Sequence, residues 1–95
     1  MVVTSDRRMK KNIKKMEINF NDIEKINAYK YQYKDESSSP NNKKNQDFHI
    51  GLMAQELENI YPELVVEKNG IKNVNYVSMI PILVENIKDI RKKIN

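Results

Sequence analysis

From Ser78 to the C-terminus, apolar side chains fall at Ile80, Leu83, Ile87, Ile90 and Ile94, with gaps of 3, 4, 3 and 4. That spacing is a heptad seam over two repeats and predicts a helix over 78–95. Ser78 can cap it, and Pro81 falls in its first turn, where a missing N–H costs little. Isoleucine at both seam positions leans toward three-stranded or larger assemblies, because side chains branched at Cβ suit the packing angles of a trimer. Two heptads are too few to associate alone, so the rest of the domain must contribute. The alternative is a core helix lying on a sheet.

The need for such a seam follows from size. A chain of 95 residues, 39% hydrophobic and 32% charged, makes one ordinary soluble domain. A domain this short buries only about two thirds of its unfolded surface and gains from a staple. No cysteine is present, and His49 has no second imidazole to share a metal with, so disulfides, metals and cofactors are not expected. Oligomerisation remains. The net charge of +4 invites an anionic partner without demanding one. No apolar run approaches the roughly 18 residues that span a bilayer, so no membrane partner is expected.

Met1 to Lys15 reads as a polar arm, with six cations in the nine positions from Arg7 to Lys15. Phe20, Ile23 and Ile26, preceded by Asn19, predict a short helix over 20–27. Tyr29, Tyr31 and Tyr33 alternate with Lys30, Gln32 and Lys34, the period of a strand with one buried face. Residues 35–47 hold almost nothing apolar and predict a mobile loop. Phe48 to Met53 reads as a strand, and Ala54 to Ile60 as a helical stretch stopped by Pro62. Asn69-Gly70 is the favoured two-residue turn and predicts a β-hairpin over 64–76. The expected fold is therefore α+β: short strands, a hairpin and a long C-terminal helix that packs in a trimer.

Many chemistries are excluded. With Gly51 and Gly70 the only glycines, there is neither a P-loop nor a dinucleotide-binding pattern, and no histidine-based nucleophile pair exists. His49 reads as a packing or surface residue. Glu56 and Glu58, two apart in a helical turn, face different ways and read as a solvated face. What remains is the arm. A serine hydroxyl can be activated by a neighbouring lysine that has lost its proton, and Ser5 and Lys10 are the candidates. Arg7, Arg8 and Lys11 each disfavour the charged form of Lys10. Five residues do not by themselves bring the two side chains together, so a bend or a second chain must close the gap. Spacing alone leaves a Ser5/Lys10 pair and a solvated basic arm both open, the second being the default.

The run Ser5-Asp6-Arg7-Arg8-Met9-Lys10-Lys11-Asn12-Ile13 is followed in order by Gly51-Leu52-Met53-Ala54-Gln55-Glu56-Leu57 and Tyr61-Pro62-Glu63-Leu64-Val65. Val74-Asn75-Tyr76, Met79-Ile80-Pro81-Ile82-Leu83 and Ile87-Lys88 complete the series. Together these blocks resemble the C-terminal intramolecular chaperone domain of phage endosialidases, tail spikes and tail fibres. The same module is found in myelin regulatory factors and in similar proteins of large DNA viruses. The resemblance implies a domain over 5–95 behind a residual upstream segment, 1–4. It implies a homotrimer that helps an upstream fibrous or β-helical stalk of the same polypeptide to assemble, then cuts itself off. It implies Ser5 as nucleophile, Lys10 as general base and Thr4-Ser5 as the scissile bond, with Asp6, Arg8, Asn12 and Gln55 as candidate supporting residues. Donors for the oxyanion would come from Gln55 or from backbone N–H groups. A virion-associated or host-cytoplasmic setting during viral assembly goes with it.

Two departures are mild: Met9 stands where the family usually has leucine, and Asn75 where aspartate is common. Only Met1-Val2-Val3-Thr4 precede Ser5, so the expectation is either a piece of a longer protein or a free-standing copy whose cut releases four residues. The second case would leave a non-catalytic trimerisation module. A basic nucleic-acid-binding domain is the third reading. It rests on charge alone, since no aromatic residue lies in the Arg7 to Lys15 cluster to stack on bases.

Overall fold

The computed structural model describes residues 2–34 and 47–94; the loop expected at 35–47 therefore lies, save for Asp47, outside the described residues. The Asn69-Gly70 turn forms as its chemistry dictates. Both residues have positive φ, 53° and 77°, as a two-residue turn matched to the strand twist requires. It joins two short antiparallel strands. Strand β1 (Tyr29–Tyr31) pairs antiparallel with β2 (His49–Gly51), Tyr29 opposite Gly51 and Tyr31 opposite His49. Strands β3 (Val65–Lys68) and β4 (Ile71–Val74) form the hairpin, Val65 opposite Val74 and Lys68 opposite Ile71.

The first pair corrects one expectation. The ladder ends at Tyr31, and the tyrosine face is not covered by a core: Tyr29 and Tyr33 are exposed. Tyr33 leaves the ladder and packs edge-on to Tyr31 at 5.3 Å and to His49 at 5.0 Å, while His49 stacks on Tyr31 at 5.8 Å. Two of the three alternating tyrosines, Tyr31 and Tyr33, thus pack on each other and on His49, while Tyr29 bonds Glu56.

The short helix expected after Asn19 forms, ending two residues earlier than expected. It is a 3-10 helix, Phe20–Lys25, with the Asn19 side chain accepting the Asn21 N–H at 3.1 Å. The spacing was the signal: Phe20, Ile23 and Ile26 recur every three residues, the period of a 3-10 helix and not the 3.6 of an α-helix. Helix α1 (Ala54–Glu58) is likewise shorter than the stretch to Ile60, because both Ile60 and Tyr61 N–H groups turn back onto the Leu57 carbonyl, at 3.0 and 2.8 Å. Pro62 then opens a 3-10 turn, Pro62–Leu64, which drives Leu64 inward.

Helix α2 spans Met79–Ile94. Its first N–H groups are met by residues just upstream: Asn75 Oδ1 accepts the Ser78 N–H at 3.2 Å, and the Tyr76 carbonyl accepts that of Met79 at 3.1 Å. The core sits where α1, the hairpin and the first turns of α2 meet, and consists of Leu57, Tyr61, Leu64, Met79 and Ile82, with Ile26, Leu52, Ile60, Val65 and Val74 against it. On α2 the buried stripe is Met79, Ile82 and Asn86. The heptad seam lies one residue, about 100°, around the helix from it. Ile80, Leu83, Ile87, Ile90 and Ile94 remain 41–78% exposed. The helix therefore packs on its own domain with one stripe and leaves the seam uncovered. Helices with two small antiparallel sheets make the chain α+β, as expected.

Candidate functional site

The arm is a local structure. Every residue from Val2 to Glu17 is exposed, so neighbours in sequence must shape it. Asp6 caps a single 3-10 turn, Arg7–Met9: its Oδ1 accepts the Arg8 N–H at 2.9 Å, its carbonyl accepts the Met9 N–H at 3.0 Å, and the Arg7 carbonyl accepts that of Lys10 at 3.1 Å. Lys10 resumes an extended backbone at the end of the turn. Its Nζ thereby reaches back to donate to Ser5 Oγ at 2.7 Å. The bend required by the five-residue spacing is this turn, formed within one chain.

Asp6 and Arg8 are joined a second time through their side chains. Arg8 Nη2 meets Asp6 Oδ2 at 2.7 Å, and Nε lies 3.2 Å from both carboxylate oxygens. The Arg8 guanidinium, and after it the Arg8 N–H, holds the Asp6 carboxyl below the usual carboxylate range. Of the three cations expected to crowd Lys10, Arg8 thus has its charge offset by a carboxylate. Asn12 plays a backbone part: its φ of 54° is left-handed, a conformation that asparagine tolerates better than most residues. Chemically, a hydroxyl and an amine at 2.7 Å are within proton-transfer reach once the amine is neutral.

Gln55 lies elsewhere. On α1 it lines a pocket with Tyr31, Tyr33, Lys72, Asn73 and Tyr76, and no described residue of the arm shares that lining. The Gly51–Leu57 block carries two structural residues that the sequence reading missed. Glu56 is no solvated spectator: it accepts the Asn27 N–H and Asn27 Nδ2, both at 3.1 Å, and the Tyr29 hydroxyl at 2.8 Å, tying α1 to β1. Those donors, the Tyr29 hydroxyl first, hold its carboxyl below its usual value. Glu58 pairs with Lys72 of β4, and raises the pKa of that amine. Tyr76 accepts the Leu52 N–H at 2.9 Å. Its hydroxyl sits where a Cβ on Gly51 would approach to 2.6 Å, so Gly51 is needed for that close fit. No sequence period signals these contacts, since the Glu58–Lys72 pair joins residues 14 positions apart and the Glu56 and Tyr76 bonds join residues 24 to 29 apart. His49 packs against Tyr31 and Tyr33, as a packing residue should, with its Nε2 buried and without a hydrogen-bond partner among the described residues.

Among the described residues, no helix is long and apolar enough to cross a membrane. No curated protein matches the chain. The family model described as chaperone of endosialidase matches residues 5–66, more than half of the chain, from Ser5 into β3.

Proposed function

The chain belongs to the chaperone of endosialidase family, and from that premise we propose that it is a trimeric intramolecular chaperone that severs itself at Thr4-Ser5. The observation that carries the chemistry is the 2.7 Å contact between Lys10 Nζ and Ser5 Oγ. A neutral Lys10 amine takes the hydroxyl proton as Ser5 Oγ bonds to the Thr4 carbonyl carbon. The resulting ammonium gives that proton to the Ser5 nitrogen as the peptide C–N bond breaks, leaving an ester between Thr4 and Ser5. A water, deprotonated by the same amine, then hydrolyses the ester to a Thr4 carboxylate and a free hydroxyl. Nucleophile and carbonyl belong to adjacent residues, so the high effective molarity of an intramolecular reaction replaces a substrate pocket, and the enzyme turns over once.

Assembly supplies what one chain lacks. The arm is exposed in the single chain, and neighbouring copies would enclose it. Three chains joined along Ile80, Leu83, Ile87, Ile90 and Ile94 would gather three upstream segments at one point, where a fibrous stalk can wind. Coupling the cut to that gathering makes release follow assembly. The test uses a chain carrying a fibre segment upstream of Thr4. Intact mass and a denaturing gel should show shortening before Ser5, lost in Ser5→Ala and reduced at least a hundredfold in Lys10→Met, on the scale of a missing general base. Absence of Ser5-dependent shortening removes the peptidase reading. The uncovered isoleucine seam would then favour a non-catalytic trimerisation module.

A further inference from the structure

We propose that Asp6, through its contacts with Arg8, is the positioning residue that holds Lys10 against Ser5. The consequence for cleavage rests on the autoproteolytic reading above; the geometry does not. In an extended chain, positions five apart are separated by roughly 16 Å, farther than a lysine side chain can reach. Burial cannot close this distance, because no residue from Val2 to Glu17 is buried. What closes it is the turn Arg7–Met9, and Asp6 contacts that turn on three sides. Its Oδ1 holds the Arg8 N–H at 2.9 Å, its carboxylate grips the guanidinium at 2.7 and 3.2 Å, and its carbonyl holds the Met9 N–H at 3.0 Å. Asp6 touches neither the hydroxyl nor the amine of the pair, so it acts on them only by fixing the backbone between them. An exposed ion pair alone contributes little. The cap is the larger part, and the forked guanidinium contact keeps the carboxylate in the rotamer that makes the cap.

Cleavage of the chain with its upstream fibre segment should therefore slow roughly five- to tenfold in Asp6→Ala, the scale of one lost cap. Asp6→Asn keeps an oxygen for the Arg8 N–H and should stay within about twofold of wild type. Melting temperature should not move, since the arm buries nothing. In the 95-residue chain, an NMR cross-peak between the Ser5 β-protons and the Lys10 ε-protons should vanish in Asp6→Ala and persist in Asp6→Asn. Wild-type rates in Asp6→Ala, or a cross-peak that survives there, overturn the proposal. A parallel fall in melting temperature overturns it too, by making Asp6 a folding residue. If the wild-type chain never shortens, the autoproteolytic reading fails, and the cross-peak still decides the clasp.

Discussion

The side chains of Glu56 and Tyr76 join the first strand pair to the rest of the domain, and each can be tested by itself. The Glu56 carboxylate is stabilised by the Tyr29 hydroxyl and by Asn27, so its folded pKa lies below the usual value of 4.5. A depressed carboxyl contributes stability that is complete above the unfolded pKa and is lost as pH falls through the folded one. Glu56→Gln should therefore lower the melting temperature most near neutral pH, and the gap to wild type should close below about pH 4.5. A constant gap in melts across the acid range would show that the charge is irrelevant. Gly51→Ala places a methyl 2.6 Å from the Tyr76 hydroxyl and should cost about 1–3 kcal/mol by overpacking. In a Tyr76→Phe background the offending oxygen is gone, and the same substitution should cost less. Equal costs in the two backgrounds, measured by denaturant unfolding, would refute the contact.

At the scale of elements, α2 carries two stripes, one packed on the domain and one exposed, the second being the proposed trimer seam. Met79, Ile82 and Asn86 face the domain, and Asn86 satisfies its buried amide locally by donating Nδ2 to the Ile82 carbonyl at 2.8 Å. Ile87 stands 64% exposed on the other stripe, so a charge there disturbs nothing inside the chain. Ile87→Asp should leave the far-ultraviolet spectrum of the dissociated chain intact and abolish trimers in sedimentation. Each buried isoleucine is worth about 1.5–3 kcal/mol, and a buried unpaired carboxylate costs more still. An undiminished trimer in Ile87→Asp would mean that the seam is not the interface. The 3-10 helix after Asn19 and the hairpin at Asn69-Gly70 show how far local rules reach. Spacing of three, a side-chain cap and a turn with two positive φ angles are set by neighbouring residues, so they can be read along the chain.

Across the whole molecule, the buried hydrophobic core among the described residues is only five side chains, while the seam and the apolar residues of the arm stand in water. Such a balance suits a chain whose stability is shared with its copies. The sequence by itself determined the α+β class, the hairpin and the C-terminal helix, because period and turn chemistry act between near neighbours; Ser5 and Lys10 were singled out as a pair by the ordered family blocks, since spacing alone left them open. Tertiary structure decided that Tyr31, Tyr33 and His49 pack on one another, that Glu56 bonds Asn27 and Tyr29 while Tyr76 bonds the Leu52 N–H, and that the domain core leaves the seam exposed. The bend that brings Lys10 to Ser5 stands between the two, since its cap is local but its outcome depends on where a long side chain ends. Contacts between distant residues depend on how several weakly specified segments fill one common volume, and no one-dimensional pattern encodes that arrangement.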